Sequence, residues 1–187
     1  MTTTPQNLPD PSRRPTEQKL IVLVMGVSGS GKTTIGRAVA ERLDAPFIEG
    51  DDFHPSANRR RLRAGIPLTD ADRWPWLDRV ADAVVRAHGS NQLVVAACSA
   101  LKKSYRDHLR NRIDHEVVFV YLRGSFDLIS RRLETRSGHF MPADLLHSQF
   151  SDLEEPDRAI VADVDASVER VVERIVLELR QQADAQP

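Results

Sequence analysis

Residues 26 to 33 read GVSGSGKT, and every fixed position of the pattern G-x-x-x-x-G-K-[ST] is filled. What flanks this run decides how it folds. Leu20 to Met25 (LIVLVM) is uninterrupted apolar sequence, as a strand buried on both faces requires. From Lys32 to Leu43 the pattern is helical. A glycine-rich turn between strand and helix lets backbone N–H groups converge on an anion, and the helix N-terminus adds the positive end of its dipole. Gly26, Gly29 and Gly31 supply the turn, with Val27, Ser28 and Ser30 between them. Lys32 is expected to reach the β- and γ-phosphates of ATP, and Thr33 to offer its hydroxyl to Mg²⁺, with Thr34 beside them. ATP and Mg²⁺ are therefore the expected cofactors.

Outward from this turn, short apolar runs alternate with helical patterns, which argues for βαβ units and a parallel sheet. Pro46 to Glu49, Leu93 to Ala97 (LVVAA), Val117 to Leu122 (VVFVYL) and Ala159 to Ala162 read as further strands. Val168, Val171, Val172, Ile175, Val176 and Leu179 mark a last helix at i, i+3, i+4, i+7, i+8 and i+11, capped by Asp165 or Ser167. Between the second and third strands lies an arginine-rich insertion, residues 51 to 92, with a helical pattern. The expected fold class is α/β: a P-loop NTPase fold with a five-stranded parallel sheet flanked by helices. A substrate-binding insertion and a lid, at about 132 to 145, would complete one domain over residues 20 to 187.

Bulk properties narrow the function classes. The chain has 187 residues, a net charge of −1 and one cysteine, Cys98. That charge gives no field to draw it to nucleic acid or an anionic membrane. No apolar run approaches the roughly 18 residues that a membrane span needs. A lone cysteine excludes an intramolecular disulfide and is read as a small buried residue. Residues 1 to 19 hold four prolines and few apolar side chains, and are expected to be a disordered tail rather than a signal peptide. A cytoplasmic location follows as the expectation.

A P-loop does not by itself separate a switch from an enzyme. The D-x-x-G and N-K-x-D patterns of GTPase switches are absent from the chain. The third strand does not end in aspartate either, because LVVAA runs on into Cys98-Ser99-Ala100. The nearest acids that could complete a magnesium shell are in FIEGDDFHP, residues 47 to 55. In the insertion that follows, Arg59, Arg60, Arg61 and Arg63 spread over more than one helix face. Arg73 stands apart, beside an expected helix break at Pro75 and between Asp72 and Trp74. Trp74 and Trp76 are read as packing residues.

Taken together, MGVSGSGKT, EGDDFHP, N-x-x-x-L-x-x-G-I-P-L-T-D-x-D-R-W-P-W-L, CSALKKSYRDHLR, YLRGSFDLISRRLETRSGHFMP and LLHSQFSDLEEP resemble the gluconokinases of the P-loop type. The likeness spans about residues 20 to 180. It implies transfer of the ATP γ-phosphoryl group to the 6-hydroxyl of D-gluconate by a cytoplasmic, Mg²⁺-dependent homodimer. It also implies a fold akin to shikimate and nucleoside monophosphate kinases. The chain departs from many such proteins in carrying Glu49 for aspartate and Thr33 for serine.

By analogy with related kinases, Asp51 is expected to accept a hydrogen bond from the attacking hydroxyl and to act as base. Asp52, projecting differently from the strand end, is expected at the rim. Glu49 would meet the metal through water. Arg73 is the first candidate for the gluconate carboxylate, since a guanidinium can hold it bidentately. His54, Ser99, Lys102, Arg106 and His139 are further candidate substrate contacts. Arg132 and Arg136, four apart on one helix face and followed by Gly138, suit a lid closing on the phosphates. Rival readings are a shikimate or adenylyl-sulfate kinase and a non-catalytic nucleotide-binding regulator. The turn after the third strand lacks the glycine run of shikimate kinases, and aromatic platforms for a second nucleotide are few.

Overall fold

The apolar runs become the strands of one sheet. The computed structural model describes residues 20–135 and 143–184. Among these residues the strands are β1 (Leu20–Met25), β2 (Phe47–Glu49), β3 (Leu93–Ala97), β4 (Glu116–Arg123) and β5 (Ile160–Asp163). They form a five-stranded sheet in the order β2-β3-β1-β4-β5, with every pairing parallel. The helices are α1 (Lys32–Arg42), α2 (Ser56–Arg63), α3 (Asp70–His88), α4 (Lys103–Arg112), α5 (Phe126–Thr135), α6 (Ala143–Asp152) and α7 (Val168–Asp184).

Strand β1 lies mid-sheet, so both its faces must be covered. Its alternation sorts the core: Val22 and Val24 join residues of α1, α5, α6 and α7, while Ile21, Leu23 and Met25 join residues of α3 and α4. Helices therefore cover the sheet on two sides, as parallel sheets require. Cys98, just past β3, is buried in the second cluster, and that burial pushes its thiol pKa up to about 12. Such a thiol is inert packing at neutral pH.

The structure revises two local expectations. Residues Gly50–Phe53 form a 3₁₀ turn rather than a strand end, so Asp51 and Asp52 part company through turn geometry, not strand alternation. Pro75 does not break its helix. A capping box between Thr69 and Asp72 starts α3, and Pro75 falls within it. The carbonyl deprived of an i−4 partner belongs to Ala71, an exposed residue. No described helix is long and apolar enough to cross a membrane.

Candidate active site

Strand order puts the glycine-rich loop at the C-terminal edge of the sheet, where β1 is flanked by later strands on each side. That is where ligands enter open α/β folds. Gly26, Gly29 and Gly31 hold φ of 144°, 81° and 94°, values that a side chain rarely tolerates. At Gly29 a Cβ would also come within 2.9 Å of Leu133. Helix α1 leaves Gly31 with no side-chain cap and no acid in its first turn. Its leading N–H groups thus remain available to an anion.

These residues open onto a cavity of about 500 Å³ lined by Ser28 to Ile35, with Asp51 across from them. Inside the loop, Lys32 Nζ donates to Val27 O at 3.0 Å. Burial lowers the Lys32 pKa, and the Asp51 and Glu49 carboxylates oppose that shift. Ser30 Oγ is buried with no hydrogen-bond partner among the described residues. A desolvated cation, an unpaired hydroxyl and free helix amides in one recess suit a polyphosphate.

The same edge holds a donor set fitted to a magnesium ion. Thr33 Oγ1 donates to Glu49 Oε2 at 2.7 Å, and Glu49 Oε1 accepts from the Asp51 N–H at 3.4 Å. A hydroxyl that gives its proton to a carboxylate keeps its lone pairs for a cation. These two residues could hold a magnesium ion, Thr33 directly and Glu49 through coordinated water.

Beyond β2 the chain turns sharply. Gly50 is pinned because Trp76 Nε1 donates to its carbonyl at 2.8 Å. Asp51 then projects outward, its side chain 70% exposed, whereas Asp52 is exposed and outside the cavity lining. Trp76 is 1% exposed, and Trp74 packs edge-on against Tyr105. Both tryptophans are engaged in packing.

His54 stacks on Trp76 at 4.2 Å and lies 3.7 Å from Asp51, with its Nδ1 buried and unpaired among the described residues. Burial drives its pKa down to about 4, helped by Arg73 and Arg59 and resisted by Asp51. The imidazole is therefore neutral at pH 7. A histidine protonated more readily unfolded than folded stabilises the fold above about pH 6.5 and loses that contribution as pH falls toward 4. The loss is expected to reach up to about 3 kcal/mol. In thermal melts from pH 7 to 4, His54→Asn should lose less stability than the wild type; parallel curves would exclude His54 as the cause.

The cations of the insertion meet acids from distant segments. Arg73 is buried, its Nε donating to Leu68 O and its Nη2 lying 3.4 Å from Asp152 Oδ2. Lys102 Nζ is 2.8 Å from Asp70 Oδ1 and 3.4 Å from Asp152 Oδ1. Asp70 also accepts from the Tyr105 hydroxyl at 2.6 Å. The Lys102 bond to Asp70 raises the lysine pKa and lowers that of Asp70. Ser99 is half-buried, and its carbonyl accepts from the Gly26 N–H at 3.3 Å.

Arg106 departs from expectation. Its buried guanidinium donates to the Ala100 and Leu101 carbonyls at 3.1 and 2.8 Å. It braces the turn after β3. Arg132 lies in the cavity wall, where its guanidinium donates to the Val164 carbonyl. Arg136, Gly138 and His139 lie outside the described residues.

Several contributors are not among the candidate residues named from the sequence. Gln149 Oε1 of α6 accepts from the Ser28 N–H at 2.7 Å, tying that helix to the glycine-rich loop. Leu133, Thr135, Val164, Ala166, Val168 and Val171 build the largely apolar far wall of the cavity. The one available hint is Val168, which opens the periodic run of α7 yet is 39% exposed.

Comparison with known proteins agrees with this geometry. The shikimate kinase family model matches residues 28–180. The thermosensitive gluconokinase of Escherichia coli K12 is 46% identical over 166 residues, covering 85% of this chain and 88% of that protein. A probable gluconokinase of Mus musculus is 43% identical, covering 86% and 97%. Among solved structures, a gluconokinase from Sinorhizobium meliloti 1021 superposes with a TM-score of 0.82 at 43% identity, over 92% of this chain and 96% of the other. The APS kinase CysC of Mycobacterium tuberculosis, at 22% identity and a TM-score of 0.65, shares the fold. With a glycine-rich phosphate cradle facing Asp51 and relatives matched over most of their length, the chain belongs to the gluconokinases, within the shikimate kinase family of P-loop kinases.

Proposed function

We propose that this kinase transfers the γ-phosphoryl group of ATP to the 6-hydroxyl of D-gluconate, giving 6-phosphogluconate. The observation that carries the proposal is the shared cavity: Asp51 lines the same recess as Ser28 to Thr34. The glycine-rich loop and Lys32 hold the phosphates, and the apolar wall of Val164, Ala166, Val168 and Val171 offers a face for the base. Asp51 orients the acceptor hydroxyl and takes its proton as the new P–O bond forms and the bond to the ADP oxygen breaks. Arg132 stands where it can neutralise charge on the transferred group. Mg²⁺, held by Thr33 and by water on Glu49, would offset phosphate charge when bound.

The acceptor is a polyol with a terminal carboxylate, so its site needs acids, hydrogen-bonding groups and a cation. Asp51, His54 and Ser99 suit the hydroxyls. Arg73 and Lys102 suit the carboxylate, and His54, which feels the Arg73 charge, links the two groups. Trp76, 1% exposed and stacked against His54, offers no face to an adenylyl-sulfate acceptor. The proposal extends to a cytoplasmic homodimer without nucleic-acid or membrane partners, and for those two partner classes the net charge of −1 is the support.

The test is a coupled ADP-release assay with ATP and Mg²⁺ across gluconate, other sugar acids, shikimate and adenylyl sulfate. Turnover of shikimate without gluconate would overturn the assignment. Arg73→Ala should raise KM for gluconate about 10-fold or more, the scale of a lost charged hydrogen bond, and change KM for ATP little. The opposite split would move Arg73 to the nucleotide.

A further inference from the structure

Arg73, the candidate anchor for the acceptor carboxylate, is already engaged. Its side chain is 9% exposed, its Nε donates to Leu68 O and its Nη2 meets Asp152. Lys102 meets the same Asp152 through the other carboxylate oxygen. One aspartate thus bridges two cations, as a small carboxylate ligand would. Both cations lie over the Tyr105 ring, each 5.6 Å from its centroid, so they form one platform.

The two acids on this platform are not equivalent. Asp70 bonds Lys102 at 2.8 Å and Tyr105 at 2.6 Å. Asp152 reaches both of its cations only at 3.4 Å, from the last residue of α6. Asp70 is the fixed partner and Asp152 the loosely held one. Charge balance points the same way. Two cations and two carboxylates sum to zero, so an arriving carboxylate would leave the platform net negative unless one acid departs.

We infer that Asp152 is a placeholder: its carboxylate occupies the anion position between Arg73 and Lys102, and the acceptor's carboxylate takes that position by displacing it. The exchange needs only a turn of the Asp152 side chain, since α6 is held independently by buried Leu145 and Leu146. Arg73 and Lys102 are thereby kept neutralised and in position before substrate arrives. The intramolecular carboxylate also sets the affinity that a sugar acid must exceed. This inference rests on the proposed sugar-acid acceptor.

The test compares Asp152→Asn, which removes charge at constant shape, with Asp152→Glu, which keeps it. KM for gluconate should fall about 3- to 10-fold in Asp152→Asn, the size of a partly exposed ion pair, and stay at or above wild type in Asp152→Glu. KM for ATP should stay within about twofold in both. Inhibition by D-glucitol, which has the hydroxyls without the carboxylate, should not strengthen. An unchanged or raised KM for gluconate in a folded Asp152→Asn protein overturns the inference and makes Asp152 a structural tie. Circular dichroism establishes folding, and Asp152→Ser carries the same comparison if the asparagine variant misfolds. Wild-type failure on gluconate would count against the proposed substrate alone. The Asp152 ratio is then read with whichever sugar acid the wild type phosphorylates.

Discussion

Replacing Asp51 by asparagine is expected to lower kcat at least ~100-fold while leaving the fold intact. The two halves of that expectation have separate causes. Asp51 stabilises little, because its side chain is 70% exposed and its bond to Glu49 is made by the backbone N–H, which asparagine retains. The chemistry depends on the carboxylate, because an amide can accept a hydrogen bond but cannot take the proton from the attacking hydroxyl. Coupled-assay kinetics with melting curves separate these effects. A near-normal kcat would reduce Asp51 to positioning the hydroxyl, which a loose phosphoryl-transfer transition state permits.

Gly50→Ala should cause the largest loss of stability. A Cβ at Gly50 would lie 2.3 Å from the Ala97 carbonyl oxygen, 3.4 Å from its carbon and 3.5 Å from Cys98 Cα. All three are backbone atoms at the end of β3, so no side chain can rotate away. Relief requires β2 to shift off β3, where Glu49 pairs with Ala97, and strains the Trp76 bond to the Gly50 carbonyl. Overpacking of this kind costs about 1–3 kcal/mol, a fall in Tm of roughly 2–12 °C for a domain of this size. Activity should fall as well, since Glu49 and Asp51 flank the displaced residue. An unchanged Tm would mean that the β2–β3 pairing yields easily.

The parts of the molecule legible in the sequence were those set by local repetition. LIVLVM, LVVAA and VVFVYL became β1, β3 and part of β4 because continuous apolar runs suit strands covered on two sides. The glycine-rich loop was legible because its chemistry puts two glycines, a lysine and a hydroxyl in fixed places. What escaped notice depends on residues far apart in the chain. Asp152 meets Arg73 across 79 positions, and Gln149 meets Ser28 across 121. Arg106 is a candidate ligand contact because basic residues after a strand often are. Its burial, and the two carbonyls it satisfies, follow from the turn after β3 rather than from any sequence period. Pro75 looked like a stop, and the Thr69–Asp72 box upstream outweighed it.

The strand order carries a consequence for how this enzyme can change. With β1 in the middle, the elements proposed to meet the acceptor (β2, α3, and the start of α4) lie to one side, in a single stretch of chain before β4. The far wall of the nucleotide recess comes from α5, β5 and α7 on the other side. Among the described residues, α6 and the stretch just after it cross between them, through Gln149, Asp152 and Glu154, the last bonded to Leu101 and Lys103. On that layout, exchanging one contiguous segment is expected to graft a new acceptor specificity, provided that α6 and the residues through Glu154 are exchanged with it.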